Sequence, residues 1–156
     1  MRRTDRQVND PVKIREIIET CHCCRLGFND NGKVYIVPLN FGYEETENKK
    51  YLYFHGALQG RKVELIKREG QAGFEMDTGY KLNAAKEACG YAATFQSIIG
   101  AGNVCMLEET EEKIHALRCI MSHNTGKSDW EFPLEAVKKT AVFRLEITEL
   151  SCKEHK

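Results

Sequence analysis

The residues best suited to chemistry lie in Phe54-His55-Gly56-Ala57-Leu58-Gln59-Gly60-Arg61-Lys62, which sets two cations at the start of a helix. Cations there oppose the helix macrodipole at a cost of ~0.3–1 kcal/mol each. A bound anion reverses the sign, because the free N–H groups of the first turn and both side chains then converge on one phosphate. The glycines of the segment let its oxygens approach the backbone. The plainer alternative is that Arg61 and Lys62 are solvated surface charges. His55, at a strand end, suits a ligand contact, an acid or base, a metal ligand, or a barrel-rim histidine. Pro38 removes one ladder donor from a strand-like run, and Asn40 follows with a side-chain amide. Together they suit the edge of a planar heterocycle; alone, Pro38 suits a guarded edge strand.

A second constellation is metallic. Cys21 and Cys24 have the two-residue spacing of a zinc knuckle, and Cys119 with His123 would add two ligands from one helix face. Against it, Cys21 falls on the apolar stripe of a helix, as a small core residue does. The order Cys21-His22-Cys23-Cys24 is not the Cys-x-x-Cys-His of covalently attached haem, which leaves non-covalent haem through His55 or His22. Phosphate-loop, dinucleotide-binding and nucleophile-elbow motifs are absent, which excludes the hydrolase chemistries that need them. Trp130 is either a core anchor or a ring that packs on a ligand.

The elements that must position these residues follow from periodicity. Asp10 caps and Pro11 opens a helix with Ile14, Ile17, Ile18 and Cys21 on one face. Cys24 to Phe28 alternates as a strand, and Asn29 to Gly32 makes a hairpin turn. Its return arm reads from Val34 to Tyr43, with Pro38 marking an edge, a bulge, or a place where something other than a strand lies alongside. Tyr51 to His55 is a third strand, Arg61 to Arg68 a helix stopped by Gly70, and Ala72 to Asp77 a fourth strand. Gly79 to Gly90 reads as a polar excursion. Tyr91 to Leu107 reads as a long bent strand or two short ones, Thr110 as the cap of a helix ending before Gly126, and Ala141 to Ile147 as a last strand. The expected fold is mainly β (α+β): about six antiparallel strands closing as a small barrel, with a few short helices, in one domain spanning 1–156.

Composition narrows the functions. The chain has 156 residues, and 23 Lys plus Arg balance 23 Asp plus Glu, so a broadly basic surface for nucleic acid or membrane is not expected. Seven cysteines, an odd number, do not suit a disulfide scaffold. The charged start and the absence of a long apolar run point to a cytoplasmic, reduced protein.

Four segments in order carry a family likeness: Val37-Pro38-Leu39-Asn40-Phe41-Gly42-Tyr43; Leu52 to Ala57 with Gly60-Arg61-Lys62; Ser97-Ile98-Ile99-Gly100-Ala101-Gly102; and His123-Asn124-Thr125-Gly126 with Trp130. The chain resembles the nitroimidazole-resistance branch of the pyridoxamine 5′-phosphate oxidase-like flavoproteins over roughly residues 1 to 150. The resemblance implies a split β-barrel and a homodimer with FMN at the interface. It implies cofactor contacts from Val37, Pro38, Leu39, Asn40 and Phe41 along the ring, and from Phe54, His55, Gly56 and Ala57 beside ring and ribityl chain. Arg61 and Lys62 fall at the phosphate, Gln96 and Ser97 on a later strand, and His55 near the reactive edge. A small-molecule substrate with a nitro group is implied; haem is the alternative cofactor. The chain closes on Ser151 to Lys156 without the Arg and Trp segment that holds substrate in true pyridoxamine phosphate oxidases, which argues against vitamin B6 oxidation.

Overall fold

The computed structural model describes residues 4–156, so the charged Met1 to Arg3 start lies outside the described residues. Eight strands form one antiparallel sheet: β1 (Gln7–Val8), β2 (Cys24–Asp30), β3 (Lys33–Leu39), β4 (Gly42–Glu45), β5 (Lys50–Gly56), β6 (Gln71–Asn83), β7 (Ala92–Met106) and β8 (Ala141–His155). Their order is β3-β2-β6-β7-β8-β5-β4, with β1 added to β8. Four helices accompany them: α1 (Pro11–Thr20), α2 (Arg61–Glu69), α3 (Thr110–Thr125) and α4 (Leu134–Lys138).

Local chemistry sets the element ends. The Asp10 side chain accepts from the Val12 N–H at 3.0 Å and starts α1. The β2–β3 hairpin turns on Asn31 (φ 53°) and Gly32 (φ 83°), both in the left-handed region a two-residue turn of this hand requires. Gly70, at φ 64°, ends α2. At α3 the cap position falls to Glu109, without a side-chain cap, and not to Thr110; Glu111 and Glu112 in the first turn complement the helix dipole instead.

The return arm read from Val34 to Tyr43 is two strands. β3 ends at Leu39 and β4 begins at Gly42, and these strands lie at opposite ends of the sheet order. A link of two residues, Asn40 and Phe41, can join them only because the sheet curls until its first and last strands nearly meet. They do not pair, so the expected closure is incomplete and the barrel is split. Phe41 anchors the crossing. Its side chain is wholly buried, with ring centroids 4.4 Å from His123 and 6.5 Å from Phe54, and its carbonyl accepts from Asn124 at 3.0 Å.

The sheet also exceeds the expected six strands. The polar stretch after Gly79 stays in β6, pairing Lys81 to Asn83 with Thr94 to Ala92 after a register shift, and β8 continues to His155 opposite Phe95. These ends are specified by ladder bonds to a long neighbour and not by an alternating apolar face. Inside the barrel α1 contributes Ile17 and Ile18, which pack with Leu26, Phe54, Met76 and Phe143. A smaller cluster, Tyr53, Leu107, Ala116, Ile120 and Val142, packs α3 against the outer face. Each such buried side chain stabilises by roughly 1.5–3 kcal/mol. No helix of the described residues is long and apolar enough to cross a membrane.

Candidate functional site at the barrel seam

β5 pairs with β8 from Tyr51 to Gly56, but with β4 only from Lys50 to Tyr53. The far edge of Phe54, His55 and Gly56 therefore has no strand partner. β3 likewise pairs on one side alone, with β2. These open edges flank the seam, and each offers backbone N–H and C=O groups. The seam is tied at both ends: by the Asn40-Phe41 link at one, and at the other by an ion pair from the hairpin tip to the start of α2. There Arg61 grips Asp30 with two hydrogen bonds, Nε to Oδ2 at 2.7 Å and Nη2 to Oδ1. The guanidinium also donates to Glu64 at 2.7 Å, and Arg68 reaches Asp30 at 3.3 Å. The Arg61 hydrogen bonds, helped by Arg68, hold the Asp30 carboxyl below its ordinary range.

Lys62 is placed differently. Among the described residues its ammonium has no ion pair, and it lies over Gly56: a Cβ built there would stand 2.6 Å from both Lys62 Cε and Nζ. α2 begins without a side-chain cap behind Gly60, whose φ of 131° only glycine adopts readily. The first α2 hydrogen bonds come from the N–H groups of Val63 and Glu64 to the Gly60 carbonyl, which leaves those of Arg61 and Lys62 unpaired within the helix. An uncapped helix start and a cation without a counter-ion thus share the end of β5, and both favour an anion.

The structure brings only some of the expected site residues together. Val37 and Leu39 are half-buried against the core, whereas Pro38 is exposed, opposite Arg25. The Asn40 amide donates to the His22 carbonyl at 3.1 Å, tying the link to the loop after α1. Because Phe41 and Phe54 are wholly buried core rings, a ligand in the seam reaches only their backbone. His55 and Ala57 are exposed. Gln96 and Ser97 pair with Glu154 and Lys153, while Gly56 pairs with Ala141, at the opposite end of β8. At ~3.3 Å per residue the separation is about 40 Å along the strand, so within one chain they do not join the Gly56–Lys62 group. Trp130 is held by α3: its indole donates to Thr125 Oγ1 at 3.3 Å and its carbonyl accepts from Arg118 at 3.1 Å.

The zinc quartet weighed as an alternative, Cys21, Cys24, Cys119 and His123, is not assembled. Cys21 is buried with its thiol donating to the Ile17 carbonyl at 3.3 Å, and burial pushes that thiol up to about 12. Burial likewise raises Cys24, and His123 donates to the Cys21 carbonyl at 2.8 Å. Among the described residues one trio of metal-capable side chains converges, Glu44, His115 and Cys119. It shares only Cys119 with that quartet. The sequence reading missed it: the i, i+4 spacing of His115 and Cys119 was a signal that could have found two of the three, but Glu44 could not be inferred, because the β4–α3 packing that delivers it is long-range.

An open antiparallel barrel of this kind, its seam ending at an uncapped helix start and a lysine without an ion pair, is a split-barrel domain. The chain belongs to the pyridoxamine 5′-phosphate oxidase family, whose sequence profile matches residues 10–154. It is similar to a Bacteroides thetaiotaomicron protein whose proposed role is 5-nitroimidazole antibiotic resistance. Identity is 32%, TM-score 0.81, with 95% of this chain and 86% of that one covered. The fold is shared with the flavocytochrome Anf3 of Azotobacter vinelandii (20% identity, TM-score 0.80, 100% of this chain and 72% of that one). It is shared too with a FAD- and haem-binding protein of Mycobacterium smegmatis (14% identity, TM-score 0.81, 97% and 74%). No curated protein matches the chain.

Proposed function

We propose that this chain is an FMN-binding flavoprotein whose reaction is reduction of a nitro group on a small molecule. The carrying observation is Lys62, unpaired at the uncapped start of α2 and beside the open edge of β5. Those groups fit a phosphate monoester, and the free strand edges fit the hydrogen-bonding rim of a planar ring. Lys62 and the first N–H groups of α2 would hold the phosphate. Backbone groups of β3 from Val37 to Leu39, and of Phe54 to Gly56, would orient the ring. His55, exposed and without a hydrogen-bond partner among the described residues, is the side chain suited to a proton at the reactive edge. A bound flavin would supply the electron transfer. The similarity to the Bacteroides resistance protein supports a nitroimidazole-like substrate.

The placement of Gln96 and Ser97 supports a homodimer with the cofactor at the interface. They lie at the far end of β8 from Gly56, so one ligand touching both groups needs a copy of each from two chains. Exposed Val34, Ile36 and Ile99 on the outer sheet face give such a pair apolar surface to bury. Seven free cysteines support a reducing, cytoplasmic setting. A second reading, a haem- or flavin-binding protein without turnover, is favoured by the same unpartnered His55 imidazole, which could ligate iron. Stopped-flow mixing of reduced, FMN-loaded protein with a nitroimidazole separates the two. Turnover requires reoxidation faster than that of free reduced flavin; equal rates leave the binding protein.

A further inference from the structure

We infer that Glu44, His115 and Cys119 form a Zn2+ site that staples α3 to β4, separate from the seam. The three ligand atoms lie within 4.8 Å of one another and come from two elements. His115 and Cys119 stand one turn apart on α3, and Glu44 sits in the middle of β4. Imidazole nitrogen, thiolate sulfur and carboxylate oxygen together suit a borderline ion of the zinc class and do not suit Mg2+ or Ca2+, which want oxygen alone.

The sulfur–nitrogen distance agrees with that chemistry. Bonds of ~2.3 Å to sulfur and ~2.0–2.1 Å to nitrogen, at the tetrahedral angle, put the two ligand atoms about 3.5 Å apart. Cys119 Sγ is 3.6 Å from His115 Nε2. The same geometry asks for about 3.4 Å between nitrogen and oxygen. His115 Nε2 donates to Glu44 Oε1 at 2.8 Å, so an ion inserted between them replaces this hydrogen bond by a small outward swing of the carboxylate.

The supporting groups are also in place. Glu44 Oε2 accepts from the Tyr53 hydroxyl at 2.6 Å, which turns Oε1 toward His115. Tyr53 is itself buried, and its ring meets the His115 ring edge-on with centroids 5.8 Å apart. Partners of this kind fix the orientation of metal ligands. On the other side, a cavity of about 390 Å³ lined by Glu19, Tyr43, Glu44, Cys119, Ser122 and His123 leaves room for water as fourth ligand. Three protein ligands and an open position make this a site that can also bind an exogenous anion. Binding replaces the Cys119 S–H bond by a sulfur–metal bond and releases that proton to solvent, while the neutral His115 ring gives up its Nε2 proton to the metal bond and carries one on Nδ1 instead, with no change of oxidation state.

Titration of the metal-stripped full-length protein with Co2+ tests this. The expected result is one equivalent bound with a thiolate-to-cobalt charge-transfer band, displaced by Zn2+. The band is lost in Cys119→Ser and kept in Cys105→Ser and Cys23→Ser. Tyr53→Phe, which leaves all three ligands, should weaken Zn2+ binding by roughly 10–100-fold. If Cys119→Ser fails to fold, His115→Gln, at an exposed position, takes its place and must also abolish the band. Absence of a charge-transfer band, or a band that survives the Cys119 or His115 change, overturns the assignment. Since FMN plays no part, failure here leaves the flavin reading intact.

Discussion

The Lys62 ammonium covers the backbone of Gly56: a Cβ at that position would meet Lys62 Nζ and Cε at 2.6 Å. The end of β5 and the start of α2 are thereby one unit, and glycine is what lets the cation settle there. The obstructing atoms are the far end of a flexible side chain, so Gly56→Ala displaces the lysine and leaves the fold alone. Its unfolding free energy should stay within ~0.5 kcal/mol of the parent. FMN affinity should fall several-fold. Urea denaturation beside FMN titration checks both, and an unchanged affinity would mean that the lysine position is irrelevant to the ligand.

Asp30 competes with any phosphate for Arg61, because it already takes two hydrogen bonds from the guanidinium. Asp30→Ala should free that cation and tighten FMN binding several-fold. Arg61 stands largely in solvent and Asp30 is half-buried, so the pair is partly screened and the urea midpoint should move little. Weaker binding in the variant would show that the Asp30–Arg61 tie shapes the seam and does not merely occupy the arginine.

Gly42 begins β4 where α3 packs closest. A Cβ there would stand 2.5 Å from the Cys119 carbonyl carbon and the Ile120 nitrogen, which are backbone atoms that cannot step aside. Gly42→Ala should therefore push α3 off the sheet and cost about 1–3 kcal/mol, the usual range for overpacking. Gly32→Ala meets no neighbour within 4 Å and loses only its turn preference. The denaturation midpoints of the pair distinguish a steric cost from a conformational one.

Stability should fall over two ranges of pH as acid is added. Burial lowers the His123 pKa, against a smaller opposing effect of its hydrogen bond to the Cys21 carbonyl. Above about 6.5 neither state protonates this group; below it the unfolded chain protonates first, so stability falls as pH drops from there toward the folded value. Glu45 is lowered to about 2, first by its hydrogen bond to Lys50 and then by those to Arg15 and Tyr43. Its contribution is complete above the ordinary carboxylate pKa of about 4.3 and is lost between there and about 2. Urea midpoints from pH 8 to 3 should show both falls, and His123→Gln should remove the upper one alone.

Much of the fold was legible because local chemistry specified it. Asp10-Pro11 set α1, Asn31-Gly32 the hairpin, and Gly70 the end of α2. The break at Asn40-Phe41 was not legible, since it depends on the sheet curling until β3 and β4 face each other, which no single segment encodes. At the site, the basic helix start was legible as a charge placed against a dipole. The inequality of its two cations was not, because Asp30 reaches Arg61 from a turn thirty-one residues earlier in the chain. Phe41 and Phe54 were read as ring-flanking, and the alternation of β5 breaks there because β5 buries Tyr53 under α3 as well as Phe54 inside the barrel.

The central claim is that Lys62 and the start of α2 hold the phosphate of a flavin. Purified protein should be titrated with FMN while the visible flavin band and the melting temperature are followed, in parallel with Lys62→Ala and with riboflavin in place of FMN. The expected result is saturable perturbation of the band and stabilisation of about 2.7 kcal/mol at a hundredfold the dissociation constant. Affinity should be about 10–100-fold weaker for Lys62→Ala, and weaker again for riboflavin, which lacks the phosphate. No perturbation, or equal affinity for FMN and riboflavin that is untouched by Lys62→Ala, would contradict it.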